Sequence, residues 1–183
     1  MDDQQGSSHT VAISAPLDRL AILLATGLGI GFVPIAPGTF GSLLGVVICY
    51  VLIQAFKFAP HLLQNALLAV CVLLAIGGTW AATRAERVFN RKDAGQIVID
   101  EVCGQLITFV FLAPAMVQLG GKWRLALAAG FVLFRLFDIF KPWPIKRLEG
   151  LGGGLGVMAD DVLAGIYAAI TLSILDFGFW ILD

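Results

Sequence analysis

Long apolar segments follow one another along this chain, with few polar residues between them. Five approach the length of about 20 apolar residues that crosses the hydrocarbon core of a bilayer. In chain order they are residues 43–58, 62–82, 102–119, 123–139 and 162–182. The pattern predicts an all-α, polytopic membrane bundle of about five transmembrane helices.

Short turns join these segments in pairs. Pro60-His61 separates the first two, and Gly120-Gly121-Lys122 separates the next two, so each pair is predicted to form a tight helical hairpin. Pro114, inside the third segment, predicts a kink or an early exit, because proline has no backbone N–H to donate.

The chain before the first predicted span has a different character. Residues 1–16 are polar and lack the positive charge of a signal peptide, so we expect a disordered tail ahead of one membrane domain at 17–183. Residues 17–31 contain about a dozen apolar residues interrupted by glycines, which is short for a span. They predict an interfacial or half-buried helix, with a sixth, tilted crossing as the alternative.

The composition also indicates a membrane protein. Hydrophobic residues make up 58% of the chain and charged residues 14%, and the mean hydropathy is +0.89; soluble domains have about 25% charged residues. The formal net charge of -1 gives no reason to expect a nucleic-acid partner. Cys49, Cys71 and Cys103 lie in apolar runs without Cys-x-x-Cys spacing, which favours packing over a disulfide or zinc site.

Most of the basic residues are predicted to lie on one side of the bilayer. When the hairpins are traced alternately through the membrane, the loop ending at Ser42 and the connections 83–101 and 138–161 meet on that side. Basic loops tend to remain in the cytoplasm, so this side is predicted to face it. The basic residues there are Arg84, Arg87, Arg91, Lys92, Arg135, Lys141, Lys146 and Arg147.

Two pairs of acidic residues lie on the same side. Asp100-Glu101 precedes the third predicted span, and Asp160-Asp161 precedes the fifth, so both pairs are predicted at helix N-termini. Carboxylates in such positions can cap a helix. Paired carboxylates at two helices, in a chain with 13 acidic residues, favour a site for a hard cation with oxygen ligands, and the two roles can coexist.

A third charged group lies between these pairs. Arg135, Asp138 and Lys141 are three residues apart and share a face if the helix continues to Lys141, where Pro142 would end it. One interpretation is an ion-pair stripe at the membrane interface, with Trp143 as an anchor. The other is a carboxylate for a metal beside cations for a phosphate group.

Two glycine-rich stretches complete this side, at residues 34–42 and 150–156. A flexible turn explains either stretch, and neither has the spacing of a nucleotide-binding loop. Gly38 to Ser42 are expected to precede a helix, so that their amides and hydroxyls could hold an anion at its N-terminus.

Three sequence blocks together resemble the phosphatidylglycerophosphatase A family. They are PIAPGTFGS at 34–42, IVIDEVCG at 97–104 and FRLFDIFKPWPIKRLEGLGGGLGVMADDVLAG at 134–165. The resemblance implies a phosphatase of the bacterial inner membrane that uses magnesium to convert phosphatidylglycerophosphate into phosphatidylglycerol. The implied partners are the lipid substrate and the bilayer, and no oligomeric state is predicted.

With this resemblance, the charged residues acquire expected roles. The metal ligands for one or two magnesium ions are expected to be carboxylates, with Asp138 assisting: Asp100, Glu101, Asp160 and Asp161. Groups expected to neutralise or position the phosphate are Arg135, Lys141, Gly38, Thr39, Gly41 and Ser42. Water is the expected nucleophile, and the hydroxyl of Thr39 is the alternative.

Other protein classes fit the sequence less well. A transporter would place charge near the bilayer midplane, whereas here the charge lies at the ends of the spans. A phospholipid-synthesising transferase would need a longer Asp-Gly…Gly…Asp…Asp motif that the sequence lacks. A non-enzymatic scaffold would leave the acidic residues unexplained. His9 and His61 lie away from the predicted site, and no Cys-x5-Arg or Asp-x-Asp motif is present.

Overall fold

The computed structural model describes residues 16–118, 123–148 and 150–182, and for residue 118 and residues 176–182 it describes the backbone alone. Within these ranges the chain forms helices and no strand, which confirms the all-α prediction. The predicted N-terminal tail, apart from Pro16, and the Gly120-Gly121-Lys122 turn lie outside the described residues. The α-helices are α1 Pro16–Ala25, α2 Pro37–Phe56, α3 Pro60–Phe89, α4 Ile99–Val110, α5 Ala113–Gln118, α6 Trp123–Phe140, α7 Ile145–Leu148 and α8 Gly154–Leu182.

Three of the described helices are long and apolar enough to cross a membrane. They are α2, α3 and, over Gly154–Leu175, α8. The predicted count of five spans is not confirmed. The third predicted span is divided between α4 and α5, because Pro114 lacks the amide that would bond to the carbonyl of Val110. Helix α6 has 18 residues, but Arg124, Arg135 and Asp138 interrupt its apolar surface.

Helix α1 is too short to be a sixth crossing. Its ten residues extend about 15 Å, roughly half the thickness of the hydrocarbon core. The helix packs on α3 through small residues, with Ala21 and Ala25 buried against the alanines of α3. Arg84 Nε of α3 also donates to Asp18 Oδ1 of α1 at 2.9 Å. The interfacial location of α1 stays a prediction.

Helix α4 lies at the centre of the bundle. It contacts α2, α3, α6 and α8, and ten of its twelve residues are buried. Its approach to α8 is close because both helices have glycine at the contact: a Cβ on Gly165 would overlap the carbonyl oxygen of Gly104. This contact places the first turn of α4 beside Asp161 of α8.

The three cysteines are free and buried, in agreement with the sequence prediction that they pack in the core. Cys49 and Cys71 belong to the apolar cluster that α2, α3, α4 and α8 share. Cys103 lies in a second cluster beside α1 and α3, and its Sγ points to the carbonyl oxygen of Cys71 at 3.6 Å.

Candidate metal centre and active site

Three acidic side chains from two helices meet inside the bundle. Asp100 and Glu101 lie in the first turn of α4, and Asp161 comes from α8. One carboxylate oxygen from each lies within 4.8 Å of the others. Asp100 is 7% exposed and Asp161 3% exposed, so water has little access to the group.

Within the part of the chain that the structure describes, each of these carboxylates has one buried oxygen without a hydrogen-bond partner. Among the described residues, Asp100 Oδ1, Glu101 Oε2, Asp160 Oδ1 and Asp161 Oδ2 are buried without a hydrogen bond. Burial, followed by the charges of Glu101 and Asp161, raises the pKa of Asp100 well above its usual range. Burial also raises the pKa of Glu101, although its hydrogen bond with Asp100 opposes the effect.

A bound metal ion would compensate the negative charge of these buried carboxylates. Buried anions are retained in proteins when they are paired with a cation or coordinate one. Several convergent carboxylate oxygens are the ligands of hard divalent cations such as Mg²⁺ and Ca²⁺. The group Asp100, Glu101 and Asp161 could therefore hold a metal ion, and Asp160 has one unpartnered oxygen beside it.

The helix positions of the two acidic pairs differ from each other. Asp100 and Glu101 lie in the first turn of α4, as predicted. The prediction that Asp160 and Asp161 precede their helix is wrong, because α8 begins six residues earlier, at Gly154. Backbone amides at that depth are already bonded within the helix, so capping does not explain these two carboxylates.

Two cations pair with the acidic residues around the group. Lys141 Nζ lies 2.6 Å from Asp160 Oδ2, and Arg135 Nη1 lies 2.6 Å from Asp138 Oδ2. Asp138 is also close enough to Glu101 and Asp161 to interact with their charges. The predicted residues Arg135, Asp138, Lys141 and Asp160 thus surround the three-carboxylate group.

Lys141 reaches the site by a route that differs from the predicted helical stripe. Helix α6 ends at Phe140, and Lys141 adopts a left-handed conformation with φ of 42°. The following Pro142 disfavours the helical conformation at Lys141 for steric reasons. The lysine therefore pairs with α8, whereas Arg135 and Asp138 pair with each other along α6.

The first glycine-rich stretch forms the start of α2. The helix begins at Pro37, so Gly38 to Ser42 lie within its first turns and do not precede it as predicted. Ser42 Oγ donates to the Gly38 carbonyl at 2.9 Å and accepts from Arg135 Nη1 at 3.3 Å. A Cβ on Gly38 would overlap Glu101 Oε1, so only glycine allows this contact.

The remaining predicted residues of α2 have packing roles, and their functional roles stay predictions. The Thr39 amide donates to the carbonyl of Ala36 at 2.9 Å, and its side chain is half-buried. Gly41 is buried in the second turn of α2, where a Cβ would lie 2.8 Å from Val98 Cβ. In the second glycine-rich stretch, the Gly154 amide donates to Thr83 Oγ1 at 3.0 Å, so that stretch connects α8 to α3.

The sequence prediction did not include Gln105. This residue lies one turn after Glu101 on α4 and is 0% exposed. Neither its amide nitrogen nor its amide oxygen has a hydrogen-bond partner among the described residues. A polar side chain four residues after Glu101, inside an apolar helix, was the signal available in the sequence.

Comparison with known proteins identifies the family. A profile of phosphatidylglycerophosphatase A matches residues 23–176. A Haemophilus influenzae protein named phosphatidylglycerophosphatase A is 39% identical over an alignment of 163 residues that covers 86% of this chain and 92% of that protein. An Escherichia coli protein of the same name is 36% identical over 150 residues, covering 80% and 78% of the two chains.

A third relative has a different name. A Bacteroides thetaiotaomicron protein named putative phosphatidylinositol-3-phosphatase is 39% identical over 155 residues, which are 85% of this chain and 92% of that protein. No solved structure matches the chain. The profile match and the long alignments confirm the resemblance of the three sequence blocks, and the chain belongs to the phosphatidylglycerophosphatase A family.

Proposed function

We propose that this protein hydrolyses the terminal phosphate monoester of phosphatidylglycerophosphate, releasing phosphatidylglycerol and inorganic phosphate. The observation that supports this most directly is the buried group Asp100, Glu101 and Asp161, which lies beside Arg135 and Lys141 at one end of the apolar helices. A membrane lipid with a phosphorylated head group matches both features, since its acyl chains fit the bilayer and its phosphate fits the charged end.

The proposed cofactor is Mg²⁺, held by Asp100, Glu101 and Asp161, with Asp160 contributing its unpartnered oxygen. When bound, magnesium supplies positive charge to the phosphate and increases the acidity of a coordinated water. The carboxylates of Asp100, Glu101 and Asp161 are already close together in the fold, so we expect ion binding to require no large rearrangement of α4 or α8.

The protein side chains would hold the phosphate and stabilise the charge that develops on it. Lys141 and Arg135 are fixed by Asp160 and Asp138, so both cations are already positioned before the substrate enters. Water attack forms a new O–P bond and breaks the ester P–O bond, and the departing lipid alkoxide takes up the proton that the attacking water loses. The hydroxyl of Thr39 is the alternative nucleophile, and the amides of Gly38 and Gly41 and the hydroxyl of Ser42 are proposed to position the phosphate.

The site is proposed to face the cytoplasm from a bacterial inner membrane. Arg87, Arg91 and Lys92 line a cavity with Gly153, close to the start of α8, so basic residues lie at the same end as the acidic group. Cytoplasmic ends are enriched in lysine and arginine. Labelling of a Lys92→Cys variant by a membrane-impermeant thiol reagent should occur in opened vesicles and not in intact cells.

A second candidate substrate is phosphatidylinositol 3-phosphate. The Bacteroides thetaiotaomicron relative is named for this activity and aligns over 92% of its own length. Both candidates are phosphate monoesters of a lipid head-group alcohol, so the same carboxylates and cations could serve either one. The choice between them depends on contacts with the alcohol.

Phosphate release from both lipids by the detergent-purified full chain tests the proposal. We expect release that requires Mg²⁺, stops with chelator and is lost in Asp161→Asn. Asp93→Asn is the matched control, because Asp93 is exposed, lies outside the group and has a φ of 47° that asparagine tolerates. A folded native protein that releases phosphate from neither lipid would refute the proposed function.

A further inference from the structure

Gln105 is a buried polar residue for which the proposed metal site gives no role. Its side chain is fully buried in the centre of the bundle, and both atoms of its amide lack a partner among the described residues. An amide in such surroundings is destabilising unless another group satisfies it. A folded protein that retains this residue is therefore expected to provide a partner, and a bound molecule is one source.

The position of Gln105 relates it to the carboxylates. It follows Glu101 by four residues on α4, so the two side chains lie on one face of the helix. Long side chains on helices lean towards the helix N-terminus, which here is the turn that contains Asp100 and Glu101. On the other side, Gly45 of α2 leaves room for Gln105, since a Cβ on Gly45 would lie 2.9 Å from Gln105 Cβ.

The depth of Gln105 corresponds to a particular part of the substrate. One helical turn separates it from Glu101, a rise of about 6 Å along α4. A phosphate at the carboxylates would place its ester oxygen and the attached alcohol carbons on the bilayer side of the site. We place Gln105 in that direction, because it lies one turn farther along α4 than Glu101 and is buried within the helix bundle.

The chemistry of the amide narrows the choice of partner. Its Nε2 donates and its Oε1 accepts, so a partner that serves both atoms must offer at least one acceptor and one donor. A cation would satisfy only the oxygen, and a fully ionised phosphate would satisfy only the nitrogen. An alcohol next to a phosphate ester offers both, because its hydroxyl donates and the ester and phosphate oxygens accept.

We propose that Gln105 binds the head-group alcohol of the substrate, accepting a hydrogen bond from the hydroxyl adjacent to the phosphorylated carbon and donating one to an oxygen of the phosphate ester. This inference rests on the proposed function and defines its substrate class as lipid phosphate monoesters with a neighbouring hydroxyl. Phosphatidylglycerophosphate and phosphatidylinositol 3-phosphate both belong to that class. Gln105 would thus determine specificity for the alcohol, separately from the groups that hold the phosphate.

The test compares two substrates on the full-length protein. One is phosphatidylglycerophosphate, and the other is its analogue in which hydrogen replaces the hydroxyl of the head-group glycerol. We expect native protein to prefer the hydroxylated lipid by about tenfold to a hundredfold in kcat/KM, the effect of one buried hydrogen-bonding partner. In Gln105→Met, kcat/KM should fall for both lipids, because both lose the bond to the phosphate ester oxygen. It should fall further for the hydroxylated lipid, so that the preference between the two lipids disappears.

Thr108→Val is the matched control on the same helix. Thr108 is also buried, but its hydroxyl already donates to the Gly104 carbonyl at 3.1 Å. The control should retain the substrate preference of the native protein. If Gln105→Met lowers the unfolding temperature by more than a few degrees, Gln105→Leu provides a second apolar replacement, and the substrate ratio remains the deciding quantity.

The outcomes separate this inference from the proposed function. Native hydrolysis of both lipids at equal rates, or an equal fall for both in the Gln105 variants, would overturn the role of Gln105 and leave the phosphatase activity standing. An equal fall is the result expected if an internal water satisfies the amide. Absence of turnover of either lipid by native protein would overturn the proposed function together with this inference.

Discussion

Replacement of Asp100 by asparagine should stabilise the metal-free protein and abolish most of its stabilisation by magnesium. Oxygens of Asp100, Glu101 and Asp161 lie within 4.8 Å of one another. Two unit charges at that separation repel by about 3.5 kcal/mol at an effective dielectric constant of about 20. Because the pKa of Asp100 is raised, partial protonation already relieves part of this repulsion. We therefore expect a gain of about 1–2 kcal/mol, or about 2–8 °C for a chain of this size.

The assay is thermal unfolding of the detergent-solubilised full chain, with chelator and with saturating magnesium. Native protein should gain about 2.7 kcal/mol when magnesium is at a hundredfold its dissociation constant. Asp100→Asn should unfold at a higher temperature than native protein in chelator and respond weakly to magnesium. Asp93→Asn should match native protein in both conditions, since Asp93 is exposed and outside the group. If Asp100→Asn unfolds at a lower temperature than native protein in chelator, the Asp100 carboxylate has stabilising partners in the metal-free fold, and the reasoning is wrong. If magnesium stabilises Asp100→Asn as much as native protein, Asp100 is not a magnesium ligand.

Three further predictions follow from the site. Gly38→Ala should lower kcat at least tenfold with little change in unfolding temperature, because the new methyl group would displace the Glu101 carboxylate. The control Gly77→Ala, at a position with open space around it, should remain active. Lys141→Gln should lower kcat about a hundredfold, as expected for a lost charge-stabilising donor, and Lys146→Gln, at an exposed position of α7, should leave kcat unchanged. Without metal, in the presence of chelator, the free energy of unfolding of the native protein should fall as pH rises above about 4. The raised pKa values of Asp100 and Glu101 mean that the folded state binds protons more tightly than the unfolded state. Thermal unfolding measured across pH should show a smaller fall for Asp100→Asn.

The sequence was sufficient to predict an all-helical chain with helices apolar enough to cross a membrane, although not their number, and the three acidic residues that meet, since both depend on local patterns. Apolar runs identify the helices, and Asp100-Glu101 is followed by one such run. The start of α8 was not predictable in the same way. Glycine is a weak helix former, so residues 150–156 indicated a loop. Gly154 is nevertheless helical because its amide bonds to Thr83 and its lack of a side chain admits α3, which is a long-range contact.

The end of α6 and the role of Gln105 also depend on long-range contacts. Spacing alone placed Arg135, Asp138 and Lys141 on one face, but Lys141 leaves the helix before Pro142 and pairs with Asp160 on α8. The sequence shows Gln105 only as a polar residue inside an apolar helix; its burial comes from the packing of α4 against the surrounding helices, including α2 at Gly45. The residues that hold a charge were therefore predictable, and those defined by their surroundings were not.

The central position of α4 explains how a chain with such apolar helices can contain so many carboxylates in one place. An ionised group in contact with lipid is strongly unfavourable, whereas one that faces the interior of a bundle can be compensated by nearby polar groups. Helices α2, α3, α6 and α8 surround α4, so its acidic residues face other helices. Arg135 and Lys141 pair with Asp138 and Asp160, and the charge of Arg135 also acts on Glu101. Asp100 and Asp161 each keep a buried oxygen without a hydrogen-bond partner among the described residues. The fold thus concentrates negative charge where a cation and a phosphate together would neutralise it, and the binding of both should stabilise the protein more than either can alone.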